Sequence, residues 1–235
     1  GEMLDFLAEC LRYGISICVA GATSSGKTTL AGWLLTTIPD GKRIFTIENG
    51  SRELALVREK DGKVTNSVIH TLTRYSENEK QNIDQDMLLD MALRFNPEII
   101  CVGEMRSSEA YTAQESARTG HTVLTTIHSN SCESTYSRMR TLCKRKYDMD
   151  DEVLMDLVTE AFPIVVFTKQ LENRKRKLME IMECEITADG KRKFNPLYRY
   201  EITENRMEGD RFIINGTHKK VCGISERSEE HTSEL

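Results

Sequence analysis

The sequence predicts an α/β fold: a mostly parallel sheet flanked by helices, followed by a small β-rich C-terminal appendage. Two observations predict this class. Apolar, strand-like runs alternate with helix-patterned segments up to about residue 168. From residue 169 onward, short strand-like runs follow one another through charged turns. We therefore assign residues 1–168 to an α/β core and residues 169–226 to the appendage.

The predicted elements follow in chain order. The first helix, "EMLDFLAECLRY", ends at Gly14, since glycine commonly follows a helix. The core strands are "ISICVAG", "RIFTIEN", "SVIHTLTRYS", "PEIICVGEM" and "HTVLTTIHS". The core helices are "KTTLAGWLLTTI", "DQDMLLDMALRF", "SSEAYTAQESAR" and "SCESTYSRMRTLCKRK". In the appendage, "PIVVFTKQL", "RKLMEIMECEI" and "NPLYRYEIT" are predicted to be antiparallel strands. Parallel sheets bind ligands at the carboxyl ends of their strands.

Composition narrows the functional classes. The formal net charge of −5 disfavours direct nucleic-acid binding, which depends on an excess of Lys and Arg. No apolar run is long enough to cross a bilayer, so we expect no transmembrane segment. The seven cysteines include no C-x-x-C pair, a pattern typical of reduced thiols in a cytoplasmic protein.

Both ends of the sequence need separate interpretation. Residue 1 is Gly and a helix pattern begins at once, so we expect the chain to be a piece of a longer protein. The last nine residues, "RSEEHTSEL", are what a common sequencing adapter encodes when translated. We therefore interpret residues 227–235 as an assembly artefact and exclude them from fold prediction.

A phosphate-binding loop is predicted at "GATSSGKT", between the first strand and the second helix. Gly21 and Gly26 let the loop turn so that backbone N–H groups converge on a phosphate at a helix N-terminus. Lys27 then reaches the β- and γ-phosphates, and the hydroxyl of Thr28 can bind Mg²⁺. The predicted nucleotide-binding residues of this loop are Gly21, Ala22, Thr23, Ser24, Ser25, Gly26, Lys27, Thr28 and Thr29.

Three further candidates each close an apolar strand. Glu104 ends "EIICVGE", where P-loop enzymes hold the Mg²⁺ shell. Glu48 ends "RIFTIEN" and could orient or deprotonate an attacking water. His128 ends "TVLTTIH" and could stabilise the γ-phosphate. Each residue alone is compatible with a structural role, but their combination with a phosphate loop indicates one site.

Four ordered blocks of this sequence resemble a known family. They are "GATSSGKTT", "RIFTIENGSREL", "LRFNPEIICVGEMRSSEA" and "TGHTVLTTIHSNS". The resemblance is to the ATPases of type II and type IV secretion systems, type IV pili and tight-adherence (Flp) pili. It extends from about Met3 to about Tyr200 and implies a RecA-like P-loop NTPase core that hydrolyses ATP with Mg²⁺.

The resemblance also implies roles for individual residues. Glu48 would be the base that activates water, and Thr28 and Glu104 would bind the metal. His128 would be catalytic and His121 would face the γ-phosphate or a subunit contact. Arg106 would be catalytic, and Arg74 would line the nucleotide site or an adjacent interface, as would Arg94 unless it forms a structural ion pair.

The family implies a homo-hexameric motor that acts on an inner-membrane platform protein during pilus assembly or protein secretion. Such a motor would be bacterial and cytoplasmic, peripheral to the inner face of the cytoplasmic membrane. The lack of a tetracysteine zinc motif favours the CpaF-type tight-adherence branch, of which this chain would be the C-terminal ATPase domain. Three features depart from the pattern. Asn49 replaces an acid found in many members, and "TGHTVLTTIH" is closer to the pilus-motor and type II form than to the commoner tight-adherence form. The N-terminal domain that covers the nucleotide in family members is not in this sequence.

Two alternatives stay open. The chain could be an ATP-binding module that holds a ring together with little hydrolysis, or a P-loop motor that translocates nucleic acid. A GTPase is disfavoured because no N-K-x-D motif is present, and an ABC-type ATPase because no LSGGQ-like motif is present. Replacement of Glu48 by Gln separates a hydrolysing motor from an assembly module.

Overall fold

The structure is a computed structural model that describes residues 1–226. The predicted adapter segment, residues 227–235, lies outside the described residues. Within the described part, the α-helices are α1 (Glu2–Arg12), α2 (Lys27–Thr36), α3 (Gln85–Ala92), α4 (Glu109–Arg118), α5 (Cys132–Cys143) and α6 (Asp151–Ala161). Short 3₁₀ turns occupy Glu79–Gln81 and Leu93–Phe95.

The strands follow the predicted pattern in the core. They are β1 (Ile17–Gly21), β2 (Arg43–Glu48), β3 (Glu59–Lys60), β4 (Lys63–Val64), β5 (Ser67–Leu72), β6 (Ile99–Met105), β7 (Thr122–Ile127), β8 (Ile164–Gln170), β9 (Arg176–Ile186), β10 (Arg192–Glu208) and β11 (Arg211–Lys220). All strands except the β3–β4 hairpin form one sheet in the order β11-β10-β9-β8-β1-β7-β6-β2-β5. The α/β class with a mostly parallel sheet is confirmed.

The sheet changes direction at β8. From β5 to β8 every neighbouring pair is parallel, whereas β9, β10 and β11 continue the same sheet in antiparallel pairing. "PIVVFTKQL" therefore differs from its prediction, because its strand pairs in parallel with β1 on one side and antiparallel with β9 on the other. Its apolar run is explained by this central position, where both faces are covered.

The core lies on both faces of the parallel strands. In β1, Ile17 and Val19 pack into one apolar cluster, and Cys18 and Ala20 pack into the other. This period of two within a continuous apolar run is what a strand covered by helices on both faces requires. The fixed sheet then brings the carboxyl ends of β1, β2, β6 and β7 to one edge.

Some elements were absent from the sequence prediction. α6 begins at the N-cap Asp150, whose carboxylate accepts hydrogen bonds from the backbone of Glu152 and Val153. β11 pairs with the far half of β10 in a long, exposed hairpin. The sequence of this strand did not reveal it, because most of its residues are exposed and its apolar run is short. No helix in residues 1–226 has the length and apolarity needed to span a bilayer.

Candidate functional site

The phosphate loop connects the end of β1 to the start of α2, as the sequence predicts. A side chain at Gly21 would place its Cβ 2.4 Å from both Ser25 Oγ and the Thr168 carbonyl oxygen. Gly26 adopts a left-handed conformation with φ 98° directly before the helix. The two glycines are therefore needed for different reasons, one for space and the other for backbone conformation.

Lys27 is nearly buried, and its ammonium group folds back over the loop. Its Nζ donates hydrogen bonds to the carbonyl oxygens of Gly21 and Ala22, at 2.9 Å each. Burial lowers the pKa of Lys27, although the nearby carboxylate of Glu104 opposes that shift. A bound phosphate would give this ammonium group a stronger acceptor than the two neutral carbonyls.

A cleft of about 430 Å³ lies beside the loop at the carboxyl edge of the parallel sheet. It collects side chains from the loop and from the ends of β2, β6 and β7. The predicted residues that line it are Thr23, Ser24, Lys27, Thr28, Glu48, Glu104, Arg106 and His128. The geometry thus brings together residues that are up to 105 positions apart in the sequence.

Glu48 is held by backbone groups at the end of β2. Its Oε1 accepts hydrogen bonds from the backbone N–H groups of Glu53 (2.7 Å) and Leu54 (3.0 Å). Its Oε2 is buried and has no hydrogen-bond partner among the described residues. One oxygen is therefore fixed by the backbone, while the other has capacity left to accept a hydrogen bond, as a water-orienting carboxylate requires.

Glu104 is instead held by side chains. Arg106 Nε donates to its Oε2 at 2.8 Å, and His128 Nε2 lies 2.7 Å from its Oε1. The backbone that follows Glu104 is also held in place, because Glu109 Oε1 accepts hydrogen bonds from the backbone N–H groups of Arg106 and Ser107. Hydrogen bonding to Glu104 raises the pKa of Arg106, so its guanidinium stays charged.

The lining of this cleft fits a divalent cation bound with a phosphate. The hydroxyl of Thr28 and the carboxylate of Glu104 line the same space. Glu104 Oε1 is buried and accepts no hydrogen bond of good geometry from residues 1–226. In that part of the chain no cluster of three or more His, Cys, Asp or Glu could hold a metal alone, so a cation here would need phosphate or water ligands as well.

The structure does not bring every predicted residue to the cleft. His121 precedes β7 at the opposite edge of the sheet, and its Nδ1 lies 2.9 Å from the carbonyl oxygen of Pro97. Arg74 follows the edge strand β5 and is exposed, with its backbone paired to Ile83. Arg94 is exposed in the turn after α3. None of these three residues is among those that line the cleft.

The predicted set of site residues leaves out several residues in and beside the cleft, among them Asn49, Ser51 and His70. Asn49 and Ser51 line the cleft beside Glu48. His70 lies on β5, directly opposite Thr46 of β2 in the parallel register, and was read only as part of a strand. A signal for His70 was present, because a titratable residue within an otherwise apolar and Thr-rich strand has to be matched by a polar neighbour.

Comparisons with known proteins agree with this geometry. A profile of the type II/IV secretion system protein family matches residues 2–220. This chain belongs to that family. The predicted resemblance is confirmed at this level, and the matches do not single out the CpaF-type branch, which stays a prediction.

Several members of the family illustrate its range. Protein VirB11 of Rhizobium radiobacter is 27% identical over 199 residues, covering 82% of this chain and 54% of its own length. Type IV secretion system protein PtlH of Bordetella pertussis is 31% identical, covering 77% of this chain and 53% of its own length. An uncharacterized protein of Methanocaldococcus jannaschii is 36% identical over 226 residues, covering 96% of this chain and 78% of its own length. This chain spans about half the length of the VirB11 and PtlH relatives.

Solved structures of family members share the fold. The VirB11 ATPase of the Brucella suis type IV secretion system, crystallised with sulphate, superposes with a TM-score of 0.66 at 26% identity, covering 78% of this chain and 52% of that one. The pilus retraction motor PilT with bound ADP covers 95% of this chain and 53% of its own at 18% identity, with a TM-score of 0.51. The latter likeness supports the fold alone.

Proposed function

We propose that this chain is the ATP-hydrolysing part of a motor that drives protein secretion or pilus assembly. One observation carries the proposal. The phosphate loop, two carboxylates from neighbouring strands and a histidine converge on a single cleft at the carboxyl edge of the sheet. The similar VirB11 protein of Brucella suis is an ATPase of a type IV secretion system, which supports the same activity here.

The chemistry follows from the placement of these side chains. Backbone N–H groups of the loop would bind the β-phosphate, and Lys27 would move from its two carbonyl partners to the phosphates. The free oxygen of Glu48 would accept a hydrogen bond from the attacking water and orient it. Arg106 and His128 would stabilise charge on the γ-phosphate, and Mg²⁺, held by Thr28 and Glu104, would neutralise charge on the phosphates when bound.

The partners are part of the same proposal. We propose a cytoplasmic, homo-hexameric ring that works on an inner-membrane platform protein of a bacterial secretion or pilus system. The support is family membership and the likeness to PtlH, which is a type IV secretion system protein. The net charge of −5 supports the expectation that the motor does not bind nucleic acid directly.

Turnover of ATP in the presence of Mg²⁺ tests the activity. The assay compares the chain alone and the chain fused to the N-terminal domain of a family member, because the chain spans about half of several relatives. Each form is measured beside Lys27→Ala and Glu48→Gln. We expect Lys27→Ala to lose ATP binding, and Glu48→Gln to keep binding while losing turnover.

Two results would contradict the proposal. If the fusion binds ATP but neither it nor the chain alone turns ATP over, the ring-assembly module replaces the motor. If DNA stimulates turnover several-fold, the nucleic-acid motor replaces it. Binding of ATP is read separately with a fluorescent analogue, so that loss of binding is not mistaken for loss of catalysis.

A further inference from the structure

A histidine outside the predicted set lies behind the proposed base. His70 projects from β5 toward β2, and its Nδ1 lies 2.8 Å from Thr46 Oγ1 and 3.8 Å from Glu48 Oε2. The His70 side chain is only 12% exposed and that of Glu48 only 5%. A titratable ring is thus enclosed beside the one carboxylate oxygen that the backbone leaves free.

The polar atoms of this pair are incompletely matched. Both Glu48 Oε2 and His70 Nε2 are buried without a hydrogen-bond partner among residues 1–226. Unmatched buried polar atoms are costly, and each one in a native structure calls for a specific explanation, of which a catalytic role is one. The two atoms belong to neighbouring side chains, one of which lines the cleft, so one shared reason is more economical than two independent defects.

The protonation state of His70 follows from its surroundings. Burial lowers its pKa most, the cation of Arg52 lowers it further, and Glu48 opposes both. The charged groups that face the ring are thus Glu48 from β2 and Arg52 from the segment after it. At neutral pH the ring is uncharged. A neighbouring carboxylate favours the tautomer with hydrogen on Nδ1, which donates to Thr46 Oγ1 and directs its dipole toward Glu48.

We propose that His70 is a positioning residue for Glu48, which holds the free carboxylate oxygen in the orientation that hydrolysis needs. The neutral ring attracts Oε2 weakly through its N–H dipole, and at 3.8 Å it does not use the acceptor capacity of that oxygen. Protonation would replace this with an ion pair, which would draw the carboxylate toward β5 and make it a poorer acceptor. The inference rests on the proposed ATPase function.

Two substitutions separate positioning from simple packing. His70→Ala removes the ring, and we expect kcat to fall roughly tenfold with the affinity for ATP unchanged within about twofold, because a misplaced base affects catalysis more than binding. His70→Asn keeps an amide N–H near the position of Nδ1 but cannot be protonated. It should restore most of the lost kcat. The control is His218→Asn, an exposed histidine on β11.

The pH dependence of turnover separates the two roles, because a ring that only fills space would not change it. In the wild type, turnover should decline below the ordinary histidine pKa of about 6.5 as the ring becomes charged. In His70→Asn this decline should shift to lower pH, whereas His218→Asn should retain the wild-type profile. The measurement uses the form of the protein that turns over ATP, with folding checked by thermal unfolding. If His70→Ala does not fold, the comparison of His70→Asn with the wild type decides.

An independent measurement does not require turnover. The pKa of His70, measured by NMR and assigned from the His70→Asn spectrum, should fall further in Glu48→Gln because the opposing carboxylate charge is gone. An unchanged pKa would overturn the pairing. Wild-type kcat and pH dependence in His70→Ala, or equal losses in His70→Ala and His70→Asn, would overturn the positioning role. Absence of turnover in the wild type would instead defeat the proposed function itself, and this inference with it.

Discussion

The two carboxylates of the cleft are held in opposite ways. Glu48 is buried and fixed by the backbone N–H groups of Glu53 and Leu54. Glu104 is matched by the side chains of Arg106 and His128, which are 58% and 45% exposed. Backbone donors leave little freedom, whereas long exposed side chains can follow a displaced partner. One wall of the cleft is therefore rigid and the other adjustable.

The largest expected effect comes from moving the rigid carboxylate. Glu48→Asp keeps the charge but withdraws the carboxylate by one methylene, and the backbone donors cannot follow it. We expect kcat to fall about 100-fold, as a misplacement of about 1 Å commonly does. Steady-state turnover and ATP affinity check this. A kcat within twofold of wild type would show that the backbone does not set the position of the base.

Removing the Glu48 side chain should also lower the free energy of unfolding. Glu48→Ala leaves two backbone N–H groups without their acceptor, one of them on the buried residue Leu54. We expect the free energy of unfolding to drop by about 1–3 kcal/mol in urea titrations at pH 7. The matched control is Glu53→Ala, whose side chain is exposed. Equal stability of the two variants would argue against the rigid wall.

The adjustable wall should tolerate the equivalent change better. In Glu104→Asp, the flexible side chains of Arg106 and His128 can follow the shortened carboxylate. We expect a decrease in kcat of about tenfold, with more Mg²⁺ needed for half-maximal turnover, because the metal-binding oxygen has moved. A loss as large as that of Glu48→Asp would remove the difference between the two walls.

The smallest expected effect is on the free energy of unfolding when the adjustable wall is changed. Arg106→Ala removes an ion pair whose arginine side chain is 58% exposed, and pairs with an exposed partner contribute about 1 kcal/mol or less. Its midpoint of urea unfolding should therefore stay near that of the wild type while turnover decreases. A destabilisation larger than that of Glu48→Ala would reverse the comparison.

Most of the core was predictable from the sequence. The apolar runs of β1, β2, β6 and β7 and the glycine-rich loop follow from local rules, so the strand ends and the residues that close them were anticipated. The orientation of β8 was not, because an apolar strand has the same pattern whether its neighbours are parallel or antiparallel. β11 was not predicted because it is mostly exposed and has only a short apolar run, and α6 was not predicted although it packs against α4 and α5.

The sequence by itself determined the phosphate loop, the α/β class and the presence of acids and a histidine after buried strands. Only the tertiary structure decided which of these residues meet. It placed Glu48, Glu104 and His128 on one cleft, left His121 at the opposite edge, and set His70 behind Glu48. The physical reason is that sheet order and register are fixed by long-range packing across both faces, whereas sequence patterns report only on neighbours along the chain.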